Sequence, residues 1–99
     1  METTRRAEIP AEKLDKYFTV TREAFSMAKA SKCRILENAR ADFLDMIGRY
    51  ISDAEHFRGK GDFVNAFAAL NYAHGWLDAG ARLGMFDVYD SSLFTVNGK

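Results

Sequence analysis

Four residues, Gly59-Lys60-Gly61-Asp62, limit what this chain can fold into more than any others. They interrupt two long stretches of helical periodicity. Glycine supplies the left-handed residue that ends a helix, and aspartate is a preferred N-cap for the next. So short a connection makes the flanking helices antiparallel, a helical hairpin. In the upstream arm Leu36, Phe43, Tyr50 and Phe57 recur every seven residues, with Ala39, Met46, Ile47 and Ala54 beside them. That pattern predicts a seam of the kind two antiparallel helices bury between them. Its other face carries Glu37, Arg40, Asp45, Arg49 and Asp53. It reads as a solvated face with weak ion pairs, each worth about 0.3–0.5 kcal/mol.

The downstream arm runs from about Phe63 to Leu83, with Gly84 as its stop. On a helical wheel Phe63, Phe67, Leu70, Leu77 and Ala81 gather on one side, and Tyr72, Trp76 and Leu83 on the other. Ala66, Ala73 and Gly80 form a smooth strip between them, where another backbone can come close. Only one arc is polar: Asn71, His74, Asp78 and Arg82. A helix apolar around most of its circumference must be covered from more than one direction. This helix is therefore expected at the centre of the assembly.

Pro10 suits the first turn of an earlier helix reaching about Ala30. Its apolar positions are Leu14, Tyr17, Phe18, Val20, Phe25, Met27 and Ala28, with Glu12 and Lys16 paired on the wet side. A break follows over Lys29 to Arg34, where Ser31 is expected to cap the next helix. The tail from Met85 to Lys99 loses helical periodicity. Val88, Tyr89, Leu93, Phe94 and Val96 make it too apolar for a simple disordered end. It is expected to lie across the bundle, over the Tyr72 and Trp76 face. The expected fold is an all-α, up-down-up three-helix bundle: one domain over 1–99, with a flexible N-terminus (1–9) and a non-helical tail (85–99).

Composition narrows the function. Fourteen basic residues balance fourteen acidic ones among 99, so the net charge is zero. A domain that lives on nucleic acid usually carries a basic excess. The single cysteine, Cys33, forms no internal disulfide and reads as a small, partly buried hydrophobe. The polar start, Met1 to Glu8, is not a signal peptide, and no apolar run approaches the ~20 residues that span a bilayer. A cytoplasmic location is expected.

The segment from Gly61 through Asn71, Tyr72, His74, Trp76 and Asp78 to Gly84 resembles the small archaeal proteins of the domain of unknown function 357 family. The likeness continues more loosely through Tyr50, Asp53, Ala54 and Phe57. It implies an archaeal, cytoplasmic protein folded as a compact bundle of three helices. It carries over no activity and no catalytic or binding residues.

The residues themselves offer few sites. His74 and Asp78, four apart, have the spacing of two metal ligands, but hairpin register places His74 level with Ile47 and leaves His56 roughly 13 Å away along the axis. No metal or other cofactor is expected. With Asn71 and Arg82 the pair can instead line a polar groove for a small molecule or a partner's side chains. Gly59-Lys60-Gly61 lacks the strand and the spacing of a phosphate loop. Arg49 and His56, seven apart, loosely resemble the pair in HEPN-type ribonucleases; pairing of Arg49 with Asp45 or Asp53 is the plainer reading. Asp42 and Asp45 lie on the wet face, where nothing raises a carboxyl pKa for acid catalysis, and no Ser–His–Asp or Cys–His arrangement can be argued. An enzyme is not expected.

What remains is a non-catalytic interaction or assembly domain, with a homodimer or an unknown protein as partner. Its surface is expected on Tyr72, Trp76 and Leu83, flanked by Asn71, His74, Asp78 and Arg82. Tyr and Trp are the residue types that anchor interfaces. The alternative is a nucleic-acid-associated or HEPN-like accessory protein, resting on Arg5, Arg6, Lys29, Lys32 and Arg34.

Overall fold

Asp62 organises the hairpin from both sides. The upstream helix, α2 (Glu37–Gly59), ends as Gly61 turns left-handed, φ 79°. The amides of Gly61 and Asp62 then donate to the carbonyls of Arg58 (3.0 Å) and Phe57 (2.9 Å), the paired bonds of a Schellman stop. The Asp62 carboxylate next accepts from the Asn65 amide (3.2 Å), which caps the following helix, α3 (Phe63–Leu83). One residue closes one helix and opens the next. A second Schellman stop at Gly84 (φ 87°) ends α3, with Met85 donating to the Gly80 carbonyl at 2.9 Å.

The computed structural model describes residues 8–32, 36–88, 90 and 93–94. The first helix, α1 (Ala11–Ala30), follows Pro10. It lies antiparallel to α2, as its links show: Arg58 reaches Asp15 (2.9 Å), Arg22 pairs with Glu55, and Arg40 meets the far end of α1. The three helices form an all-α, up-down-up bundle in which α2 and α3 pack most closely. The expected flexible N-terminus lies outside the described residues, except for Glu8 and Ile9.

Two apolar clusters hold the bundle. Near the hairpin turn, Leu14, Phe18, Ala54, Ala66, Ala69 and Leu70 are buried together. Toward the open end, Ala24, Ala28, Ile47, Ile51, Ala73 and Leu77 are buried with the tail residues Met85, Phe86, Val88, Leu93 and Phe94. The described part of the tail, residues 85–88, 90 and 93–94, therefore does not lie over Tyr72; Tyr89 and Val96 lie outside the described residues. The tail turns at Gly84 into the open end, where the Asp87 amide donates to the Lys32 carbonyl at 3.3 Å. Trp76 packs at the edge of that cluster, while Tyr72 stays 62% exposed.

Several expected faces are redistributed by this packing. The strip Ala66, Ala73 and Gly80 is the buried centre of α3, because small side chains let two neighbours approach at once. In α2 the centre is Ile47, Ile51 and Ala54. The seven-residue series lies at the rim, with Phe43, Tyr50 and Phe57 half-buried and Leu36 exposed. In α1 the stripe is Leu14, Phe18, Thr21, Ala24 and Ala28; Tyr17 and Met27 are exposed.

The break between α1 and α2 also differs from expectation. Ser31 closes α1, its hydroxyl donating to the Ala28 carbonyl at 2.7 Å, and does not open α2. The residue before α2 is Leu36, held left-handed at φ 58° with no side-chain cap. Cys33 and Arg34 lie outside the described residues.

Arg40, expected on a solvated face, is half-buried. Its Nη2 donates to the carbonyls of Ala28 (3.1 Å), Lys29 (3.1 Å) and Ser31 (3.0 Å). A cation there satisfies carbonyls that α1 leaves open and meets the negative end of its dipole. Arg40→Ala should therefore cost about 1–2 kcal/mol in urea unfolding. Asp45→Ala, which loses only the exposed pair with Arg49, should cost less than about 0.5 kcal/mol. Equal costs would reduce Arg40 to one more surface charge.

Candidate interaction surface on the third helix

With α1 on one flank of α3 and α2 on the other, one stripe of the helix is left facing outward. It runs through Val64, Ala68, Tyr72, Gly75, Ala79 and Leu83, spaced four, four, three, four and four residues apart. Val64 (41%), Tyr72 (62%) and Leu83 (51%) are among the most exposed large hydrophobics of the protein. Between them Ala68, Gly75 and Ala79 leave the backbone low. A Cβ added at Gly75 would meet nothing within 4 Å.

Grooves flank this stripe on each side. On the α2 side Phe43, Asn71, Tyr72, Gly75, Trp76 and Ala79 enclose about 420 Å³ of almost wholly apolar character. Its wall is a pair of aromatic contacts between helices. Phe43 meets Trp76 edge-on at 4.6 Å, and Tyr50 stacks on Tyr72 at 5.5 Å. A smaller recess of about 200 Å³ continues below Tyr72, between Tyr50, Asp53 and Phe57 of α2 and Asn65, Ala68 and Ala69 of α3. Tyr72 thus stands as a ridge between two hollows.

On the α1 side, Tyr17, Val20 and Thr21 face Leu70, Asn71, His74, Gly75 and Asp78 across about 320 Å³. Three of the four polar-arc residues meet here. His74 Nε2 lies 3.9 Å from Asp78 Oδ1, an ion-pair distance longer than a hydrogen bond. Arg82 is exposed and lines neither groove, and Leu83 lies beyond both on the stripe. Among the described residues no group of three or more His, Cys, Asp or Glu side chains could hold a metal ion.

Sequence reasoning missed the α1 contribution, above all Thr21, because a lone threonine inside a helical stripe carries no signal of its own. It also missed Phe43 as a groove wall. Gly75 and Ala79 did carry a signal: two small residues beside Trp76 on a helix face.

The remaining candidates are engaged elsewhere. Arg49 Nε donates to Asp45 at 2.9 Å, and His56 is exposed with its ring near Phe57. Lys29 lies over the Phe25 ring at 4.4 Å, and Lys32 is exposed. Arg5, Arg6 and Arg34 lie outside the described residues. Among the described residues no helix is long and apolar enough to cross a membrane.

No curated protein and no solved structure matches the chain. A family model does match, from Lys16 in the second turn of α1 to Phe86, three residues beyond the end of α3. By that match over residues 16–86, the chain belongs to the family described as Protein of unknown function (DUF357).

Proposed function

We propose that this protein is an interaction domain that associates with a second copy of itself through the outward stripe of α3. The observation that carries the reading is the self-complementary order of that stripe. When two copies of α3 are laid antiparallel about a two-fold axis midway between Tyr72 and Gly75, Tyr72 of each falls opposite Gly75 of the other. Ala68 then faces Ala79, and Val64 faces Leu83. Large residues meet small ones near the axis, and the two exposed aliphatic ends meet each other. Asn65 falls opposite Arg82, so no like charges confront one another. A two-fold contact needs one patch that complements itself, and an apolar stripe left facing water favours burial.

Gly75→Glu tests this directly, because its side chain enters open space in the single chain and so leaves the fold intact. Light scattering after size exclusion should give twice the chain mass for the wild type and the single-chain mass for the variant. A wild-type protein that stays single at about 1 mM, a concentration at which even a weak dimer forms, would overturn the reading. So would a variant that still dimerises.

A further inference from the structure

The recess below Tyr72 carries a further inference, which rests on the reading that α3 pairs with a second copy. It holds about 200 Å³, with Tyr50, Asp53 and Phe57 of α2 and Asn65 and Tyr72 of α3 among its walls. Three aromatic rings and one carboxylate suit a cation, because ring faces and carboxylates both present negative charge. No lysine or arginine of the same chain lines the recess. Arg49, four residues before Asp53, pairs with Asp45 instead. The side-chain nitrogen of Asn65 donates to Asp62 at 2.7 Å, which fixes the amide and leaves its carbonyl oxygen as an acceptor.

The antiparallel register supplies the cation. With the axis midway between Tyr72 and Gly75, Arg82 of one copy falls opposite Asn65 of the other, level with this recess. Arg82 is exposed near the far end of the stripe. Among the described residues neither Arg82 nor Asp53 makes an ion pair. Packed helices lie about 8–10 Å apart, a span that an arginine side chain crosses. A guanidinium group can lie flat on an aromatic ring while its N–H groups donate to a carboxylate and an amide carbonyl. We propose that Arg82 of each copy docks in the recess of the other, against the Tyr72 ring, and donates to Asp53 and Asn65. Two-fold symmetry makes this contact twice. It also selects direction, since a parallel pair of α3 helices would set Arg82 beside Arg82 and leave both recesses empty.

The dimer dissociation constant of the full chain, measured by sedimentation equilibrium, tests the contact. Each charge-assisted contact is worth at least about tenfold. With two per dimer, Arg82→Ala should raise the constant about 100-fold, and Asp53→Ala by a similar factor. Because the two residues act on one contact, combining the alanines should add little. Arg82→Glu and Asp53→Arg each bring like charges together and should leave single chains where the wild type is paired. Both reversals in one chain should restore the pair. Arg82 and Asp53 are exposed, so every variant should keep the circular dichroism spectrum of the folded chain. A wild type that stays single overturns the pairing and this contact with it. A wild-type dimer that either alanine leaves unchanged, alanine losses that simply add, or reversals that do not rescue each other would overturn the contact alone.

Discussion

Phe86→Ala should cost about 3–5 kcal/mol in urea unfolding, the range for emptying a fully buried phenylalanine site. That is a large share of the roughly 5–15 kcal/mol that holds a domain of this size folded. The ring is 1% exposed and sits in the open-end cluster with Ala28, Ile47 and Leu77. Its seat is made by Gly80. A Cβ built there would lie 2.3 Å from Phe86 Cε2 and 2.7 Å from Cδ2, closer than real atoms approach. Gly80→Ala should accordingly destabilise the wild type by about 1–3 kcal/mol through overpacking. Once Phe86 is alanine the clash is gone, and the same substitution should stabilise by about 1 kcal/mol from helix propensity alone. The change of sign is the decisive result. If Gly80→Ala has one effect in both backgrounds, the ring does not occupy that seat.

At the hairpin end the corresponding residue is Phe18, and Phe18→Ala should again cost about 3–5 kcal/mol. Its ring is buried with Leu14, Ala54 and Leu70, and two guanidinium groups rest against it. Arg58 Cζ lies 4.0 Å from the ring centre and Arg22 Cζ 4.8 Å. The ring thus seats the arginines that reach Asp15 and Glu55, tying α1 to α2. Phe18→Leu keeps most of the buried volume and removes the aromatic face. It should cost about 1–2 kcal/mol, the sum of a volume-conserving swap and lost cation–π contacts. Equal costs for alanine and leucine would mean that the ring, and not burial, dominates. Because Phe18 and Phe86 lie in different clusters, Phe18→Leu and Phe86→Leu should add within about 0.5 kcal/mol. Larger coupling would mean that the two ends melt as one packed unit.

The hairpin and its register were legible before any coordinates. Register counted from the turn placed Ile47 level with His74. The pairs Phe43–Trp76 and Tyr50–Tyr72 bracket that level in the structure. The outward stripe was half legible. Tyr72 and Leu83 were singled out as spare apolar surface and remain exposed, but Trp76 packs on Phe43 and Val64 was not noticed. In the groove between α1 and α3, Asn71, His74 and Asp78 were readable as one helical arc, whereas Thr21 belongs to another helix and became visible only once α1 was docked.

Stops and caps such as Gly61, Asp62 and Gly84 were determined by the sequence alone, because a backbone angle or a cap depends on neighbours within one turn. Which apolar residues are buried was decided by the tertiary structure. Leu36, Phe43, Tyr50 and Phe57 have the spacing of a two-helix seam, but α2 has two partners, so its buried centre falls between them on Ile47, Ile51 and Ala54. Arg40 could cap α1 only once the helices were antiparallel. The tail could enter the open end only because Gly80 leaves space for the ring of Phe86. Local geometry is written residue by residue, whereas burial depends on which surfaces three helices present to one another.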